Sequence, residues 1–179
     1  MQKLYVFGLV LCFSVLALFP NDVFASHSQG ADLTYECLGG NQYQITLKFY
    51  RDCEGISAPS APTISISSAS CGESLSLTLQ QIPGTGQEVS PICQNDATEC
   101  TNGNLPGVQE YVYRGTITLP AQCDDWTLAY SLCCRNAAIN TISSPDNQDI
   151  YVESILDNLN YPCNSSPVFS NKPVPFVCV

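Results

Sequence analysis

Histidine is nearly absent from this sequence: one residue in 179, at position 27. Nucleophilic catalysis needs a base held beside the nucleophile, and His27 would fall two residues into the exported chain. A Ser/His or Cys/His site therefore has no well-placed base, and one imidazole beside a terminal amine is a thin ligand set for copper or zinc. Basic residues are scarce too. Six Lys and Arg stand against sixteen Asp and Glu, for a net charge of −10. Nucleic acid and anionic membranes both require a basic face, so neither is an expected partner. Charge of either sign is sparse, at 12% of residues; neutral polar side chains are left to cover the surface, as on many exported β-rich proteins. No convincing helical period follows the first 25 residues, and no internal repeat is evident.

The N-terminus reads as a leader. Lys3 precedes an apolar run over residues 4–19, Pro20 ends it, and Val23-Phe24-Ala25 supplies small residues where a signal peptidase cuts. The run is short for a membrane span, and Val10-Leu11 before Cys12 do not suit a lipoprotein signal. Residues 1–25 are thus expected to be a cleaved signal peptide, leaving a secreted or cell-surface chain with no membrane partner. Removing Lys3 and Asp22 leaves the net charge unchanged.

Setting Cys12 aside, ten cysteines remain: Cys37, Cys53, Cys71, Cys93, Cys100, Cys123, Cys133, Cys134, Cys163 and Cys178. An even number in an exported chain points to disulfides, whose pairing sequence alone does not give. Zinc is disfavoured, because no C-x-x-C pair recurs. Cys93 and Cys100 are close enough to close a small loop on each other. Neighbours on a strand point to opposite faces, so Cys133 and Cys134 are expected to seek different partners rather than form a vicinal ring.

Residues 33–53, LTYECLGGNQYQITLKFYRDC, organise the chain. Tyr43, Ile45, Leu47 and Phe49 alternate with Gln42, Gln44, Thr46 and Lys48, the period-two pattern of a half-buried strand. Leu38-Gly39-Gly40-Asn41 before it suits a hairpin turn. Further strands are predicted around 63–68, 74–80, 108–119, 126–134, 138–142 and 150–156. In 108–119, Tyr111, Tyr113, Ile117 and Leu119 share a parity. Strands at this spacing with turn signals between them predict an all-β, immunoglobulin-like sandwich stabilised by disulfides, spanning residues 26–162. Residues 163–179 are expected to open a following repeat or to form a truncated C-terminal strand.

Candidate sites are few. Residues 82–107 form an irregular, cysteine-bearing stretch, a predicted disulfide-braced loop and recognition surface. Asn95 and Asp96 within it, with Tyr111 and Tyr113 beyond it, are the candidate ligand contacts. The carboxylate groupings Asp124-Asp125, Asp52/Glu54 and Asp146/Asp149 match glycoside hydrolysis by residue type, but each lies at a turn, where Asp usually bonds local amides. No catalytic residue is assigned. No cofactor is expected; calcium is the one reasonable ion, at the oxygen-rich QNDATE and PDNQD stretches, neither of which fits an EF-hand loop.

The segment DLTYECLGGNQYQITLKFYRDC resembles the opening of large Bacteroidota cell-surface proteins. These carry a gliding-motility-associated C-terminal domain and leave by type IX secretion. WTLAYSLCCRNAAI and NSSPVFSNKPVPFVCV are similar as well, the last resembling entry into an immunoglobulin- or cadherin-like repeat. The resemblance implies a non-enzymatic N-terminal module acting in adhesion, gliding or surface attachment. Its implied partners are the following repeats, and polysaccharide or another surface protein. A carbohydrate-binding module or carbohydrate-active enzyme fragment, and a structural cap for a repeat array, are the alternatives.

Overall fold

The alternation in residues 42–50 is realised as a central strand. The computed structural model describes residues 28–90, 92–93, 96–136 and 139–167. Strand β2 (Gln42–Asp52) buries Tyr43, Ile45, Leu47 and Phe49 almost completely and leaves Gln44, Thr46, Lys48 and Tyr50 half-buried on its other face. It pairs antiparallel with β1 (Ser28–Gly39) through the expected hairpin, in which Gly40 and Asn41 take positive φ values. That backbone region is open to glycine and tolerated by asparagine. β1 starts earlier than the sequence pattern indicates.

Seven more strands complete two antiparallel sheets: β3 (Thr63–Ser68), β4 (Glu73–Thr78), β5 (Gln80–Gln81), β6 (Gln87–Glu88), β7 (Val108–Thr118), β8 (Trp126–Cys133) and β9 (Asp149–Leu156). The first sheet runs β1-β2-β7-β5, with β6 also on β7; the second runs β4-β3-β8-β9. Trp126, Leu128 and Tyr130 of β8, with Ile64 and Ile66 of β3, meet the buried row of β2 and Tyr113 of β7 in one core. The molecule is an all-β sandwich of immunoglobulin-like architecture with its own strand order, stabilised by disulfides. Among the described residues, no helix is long and apolar enough to cross a membrane.

The chain changes sheet at Leu79, which is fully buried and whose N–H donates to the carbonyl of Pro62 at 2.8 Å. At the other end of the sandwich, Asp125 accepts from the hydroxyls of Ser68 and Ser70 and from the Ser70 amide. These bonds hold the carboxyl down at about 2, and they tie the β3–β4 turn to the β7–β8 turn. Asp125 thus serves a turn, the ordinary use of such an aspartate.

Disulfides join Cys37 to Cys163, Cys53 to Cys100, Cys71 to Cys123 and Cys133 to Cys134. Cys93 is also disulfide-bonded; Cys178 lies outside the described residues. Such bridges belong to an oxidising environment. Two pairings correct the sequence reading. Cys100 does not close a loop on Cys93, because it sits on a short 3-10 turn, Glu99–Thr101, with its sulfur bonded to Cys53 beyond the end of β2. Cys133 and Cys134 do form a vicinal ring. Strand β8 ends at Cys133, and Cys134 turns to φ 152°, so the alternation that would have parted the sulfurs stops there. A third correction concerns 138–142: its described residues, 139–142, form no strand, and Ile142 is exposed.

A cleft over the first sheet as candidate functional site

The face of β2 turned away from the core meets its neighbours in register. Thr34 of β1 lies opposite Thr46, and Thr46 lies opposite Arg114 of β7. One step along, Asp32 faces Lys48; one step further, Gly30 and Glu110 flank Tyr50. Side chains two apart on a strand share a face, so these groups form rows of hydroxyls, charges and one aromatic ring. Asp32, Thr34, Thr46, Lys48, Tyr50 and Arg114 line a cleft of about 850 Å³, to which Gln44, Glu36 and Ser154 and the apolar Leu33 and Val152 contribute and along which Ser165, Ser166 and Pro167 run.

Segment 165–167 is held against the outer edge of β1. The amide of Tyr35 donates to the Ser166 hydroxyl at 3.0 Å and Ser166 N–H returns to the Tyr35 carbonyl at 2.9 Å. Cys37 N–H donates to the Ser165 hydroxyl at 3.0 Å, and the Cys37–Cys163 bridge fixes the entry to the segment. Strand edges otherwise present unpaired backbone groups to any passing chain; here the protein's own segment occupies part of that edge.

Within the cleft, the Tyr50 hydroxyl donates to Asp32 at 3.1 Å. Burial, and next the Asp32 charge, push its phenol well above the ordinary range, so it stays a neutral donor. Lys48 and Glu110 approach to 3.8 Å. Arg114 is exposed. The strand part of the lining offers donors, acceptors, both signs of charge and an aromatic ring on regular elements, the setting in which a binding site is most precise.

The sequence-derived contacts fall elsewhere. Tyr113 is fully buried, its hydroxyl donating to the Pro59 carbonyl at 2.7 Å, so it is no surface contact. Its shared parity with Leu119, a core residue, was the signal for this. Tyr111 is half-buried and stacks on Tyr113 at 6.5 Å. Asp96 is exposed, with its amide on the Cys93 carbonyl, whereas Asn95 lies outside the described residues. The 82–107 stretch is more ordered than a bare loop: it supplies β6 and the 3-10 turn, and buried Thr98 bonds Glu88.

Three of the carboxylates considered for catalysis, Asp125, Asp52 and Asp149, have hydrogen-bond partners. Asp52 accepts from the amide of Glu54 and from the Asn136 side chain, and Asp149 accepts from Ser131. Among the described residues, no three His, Cys, Asp or Glu side chains group as metal ligands. Part of the QNDATE stretch lies outside those residues. Comparison of the chain with protein-family models, with curated proteins and with solved structures found no match.

Proposed function

We propose that this chain is a non-enzymatic attachment module of an exported cell-surface protein, and that it holds polysaccharide in the cleft over β1, β2 and β7. The lining of that cleft carries the reading. Thr34, Thr46, Gln44 and Tyr50 combine hydroxyls, an amide and a ring on rigid strands. Hydroxyls both donate and accept, matching the hydroxyls of a sugar, and an amphipathic tyrosine gives an apolar face with a polar tip. The disulfides support export, and the resemblance of the 32–53 and 126–139 segments to Bacteroidota surface proteins supports a place at the cell surface.

The test is a pull-down of the oxidised protein on a panel of insoluble and immobilised polysaccharides. Binding to at least one is expected. The double variant T46K/Y50A should weaken it about tenfold or more, equivalent to about 1.4 kcal/mol. Binding to none of the panel, or binding that the double variant leaves unchanged, would sink this reading.

A second reading, a cap at the head of a repeat array, is favoured by the segment 165–167 lying along β1. Following repeats would then be the partners. Their aggregation after removal of this module, with polysaccharide binding lost or not, would support the cap; unchanged solubility would remove it.

A further inference from the structure

We infer that the cleft selects an acidic polysaccharide, one bearing carboxylates on its sugar rings, and that Arg114 is the residue that selects it. This rests on the polysaccharide reading above and adds the charge of the ligand. Register sets one row straight across four strands: Thr34, Thr46, Arg114 and Gln80. Neighbouring strands lie about 4.8 Å apart, so the row spans about 14 Å. Arg114 is its one charged member, flanked by a hydroxyl and an amide that add hydrogen-bonding groups without adding negative charge.

The other described cations are engaged. Lys48 pairs with Glu110. Arg51 donates to the carbonyls of Cys53, Gly55 and Ile56 and to the Gln109 amide oxygen. Arg135 donates to the Asp149 carbonyl. Arg114 has no side-chain hydrogen bond or ion pair among the described residues, although the chain carries sixteen acidic residues. Its fork of N–H donors matches a carboxylate with two parallel bonds.

The net charge of −10 opposes an anionic ligand at long range, and Asp32 and Glu36 oppose it within the cleft, two residues along β1 on either side of Thr34. The long-range repulsion is largely screened beyond about 8 Å at physiological ionic strength, whereas a two-point guanidinium–carboxylate contact acts at hydrogen-bond range. Contact chemistry therefore decides the selection, not the net charge.

The experiment measures binding of the oxidised full chain to polygalacturonate and alginate at physiological ionic strength. Each is compared with its methyl ester, which keeps the sugar and removes the charge, and with neutral dextran and cellulose. Expected are binding to an acidic polymer at least tenfold tighter than to its ester, and loss of that preference in Arg114→Gln. Arg114→Lys, which keeps the charge but not the fork, should retain only part of it. Thermal unfolding of each variant checks that the fold is intact, which the exposure of Arg114 leads us to expect. Equal binding of acid and ester, or a preference unchanged in Arg114→Gln, overturns the inference and leaves the polysaccharide reading standing. Binding to none of the six polymers overturns both.

Discussion

Asn136 donates its side-chain amide to the carboxylate of Asp52, 84 residues earlier, and both side chains are buried. Asp52 ends β2 in the first sheet, and Asn136 follows β8 in the second. The bond therefore laces the sheets together at one end of the sandwich. Truncating one partner of a buried pair leaves the other desolvated, at about 1–3 kcal/mol. Asn136→Ala should lower stability by that amount without altering the disulfide pattern. Denaturant unfolding gives the value, and a loss under about 0.5 kcal/mol, the range of neutral surface changes, would contradict it.

The bridges divide by the length of chain they close. Cys37–Cys163, Cys71–Cys123 and Cys53–Cys100 span 126, 52 and 47 residues, whereas Cys133–Cys134 joins neighbours. In the chain-entropy account each long bridge is worth about 4–5 kcal/mol, and the vicinal one about 1 kcal/mol. Since single domains are stable by about 5–15 kcal/mol in all, C37S/C163S should unfold far more readily than C133S/C134S. Paired denaturation curves decide it. Equal losses would show that the vicinal ring stabilises by some other route.

Asp125 gives an acid limb to the stability profile. Its folded-state carboxyl is held at about 2, against an ordinary 3.8, chiefly by the Ser68 and Ser70 hydroxyls and the Ser70 amide. A depressed carboxylate stabilises the fold above its unfolded value, and the contribution fades as pH falls through the folded value. Stability should drop between about 3.8 and about 2, and Asp125→Asn should flatten that part of the curve. Urea midpoints across this range would show it; parallel curves for the two proteins would refute the assignment.

What could be read in the sequence follows from the range of the interactions. The face of β2 was legible because one side of a central strand is buried and the other is not, so Thr46 and Lys48 could be placed on the polar side. That Arg114 and Gln80 come alongside could not be read, since register between β2, β7 and β5 is set by residues far apart in sequence. Tyr113, a candidate contact by residue type, is a core residue, in keeping with the parity it shares with Leu119. The partners of Cys100 and Cys133 depended on where a 3-10 turn forms and where β8 ends, which no periodicity announces.

The crossing between sheets depends on a missing side chain. A Cβ built on Gly115 of β7 would stand 2.8 Å from Leu79 Cδ2 and 3.2 Å from Leu77 Cδ2. Leu79 has no exposed surface with which to yield, and its amide is tied to Pro62. Overfilling such a site costs about 1–3 kcal/mol, so Gly115→Ala should destabilise by that much even though alanine suits a strand no worse than glycine. The cause can be isolated with a second cut. Leu79→Ala alone should cost about 2–5 kcal/mol as a cavity. In G115A/L79A the new methyl enters space that the leucine vacated, so the double variant should lose less than the two single losses together. Contacting residues couple by about 0.5–3 kcal/mol, well within reach of equilibrium denaturation. Strict additivity would mean that Gly115 is needed for its backbone and not for the room it leaves Leu79.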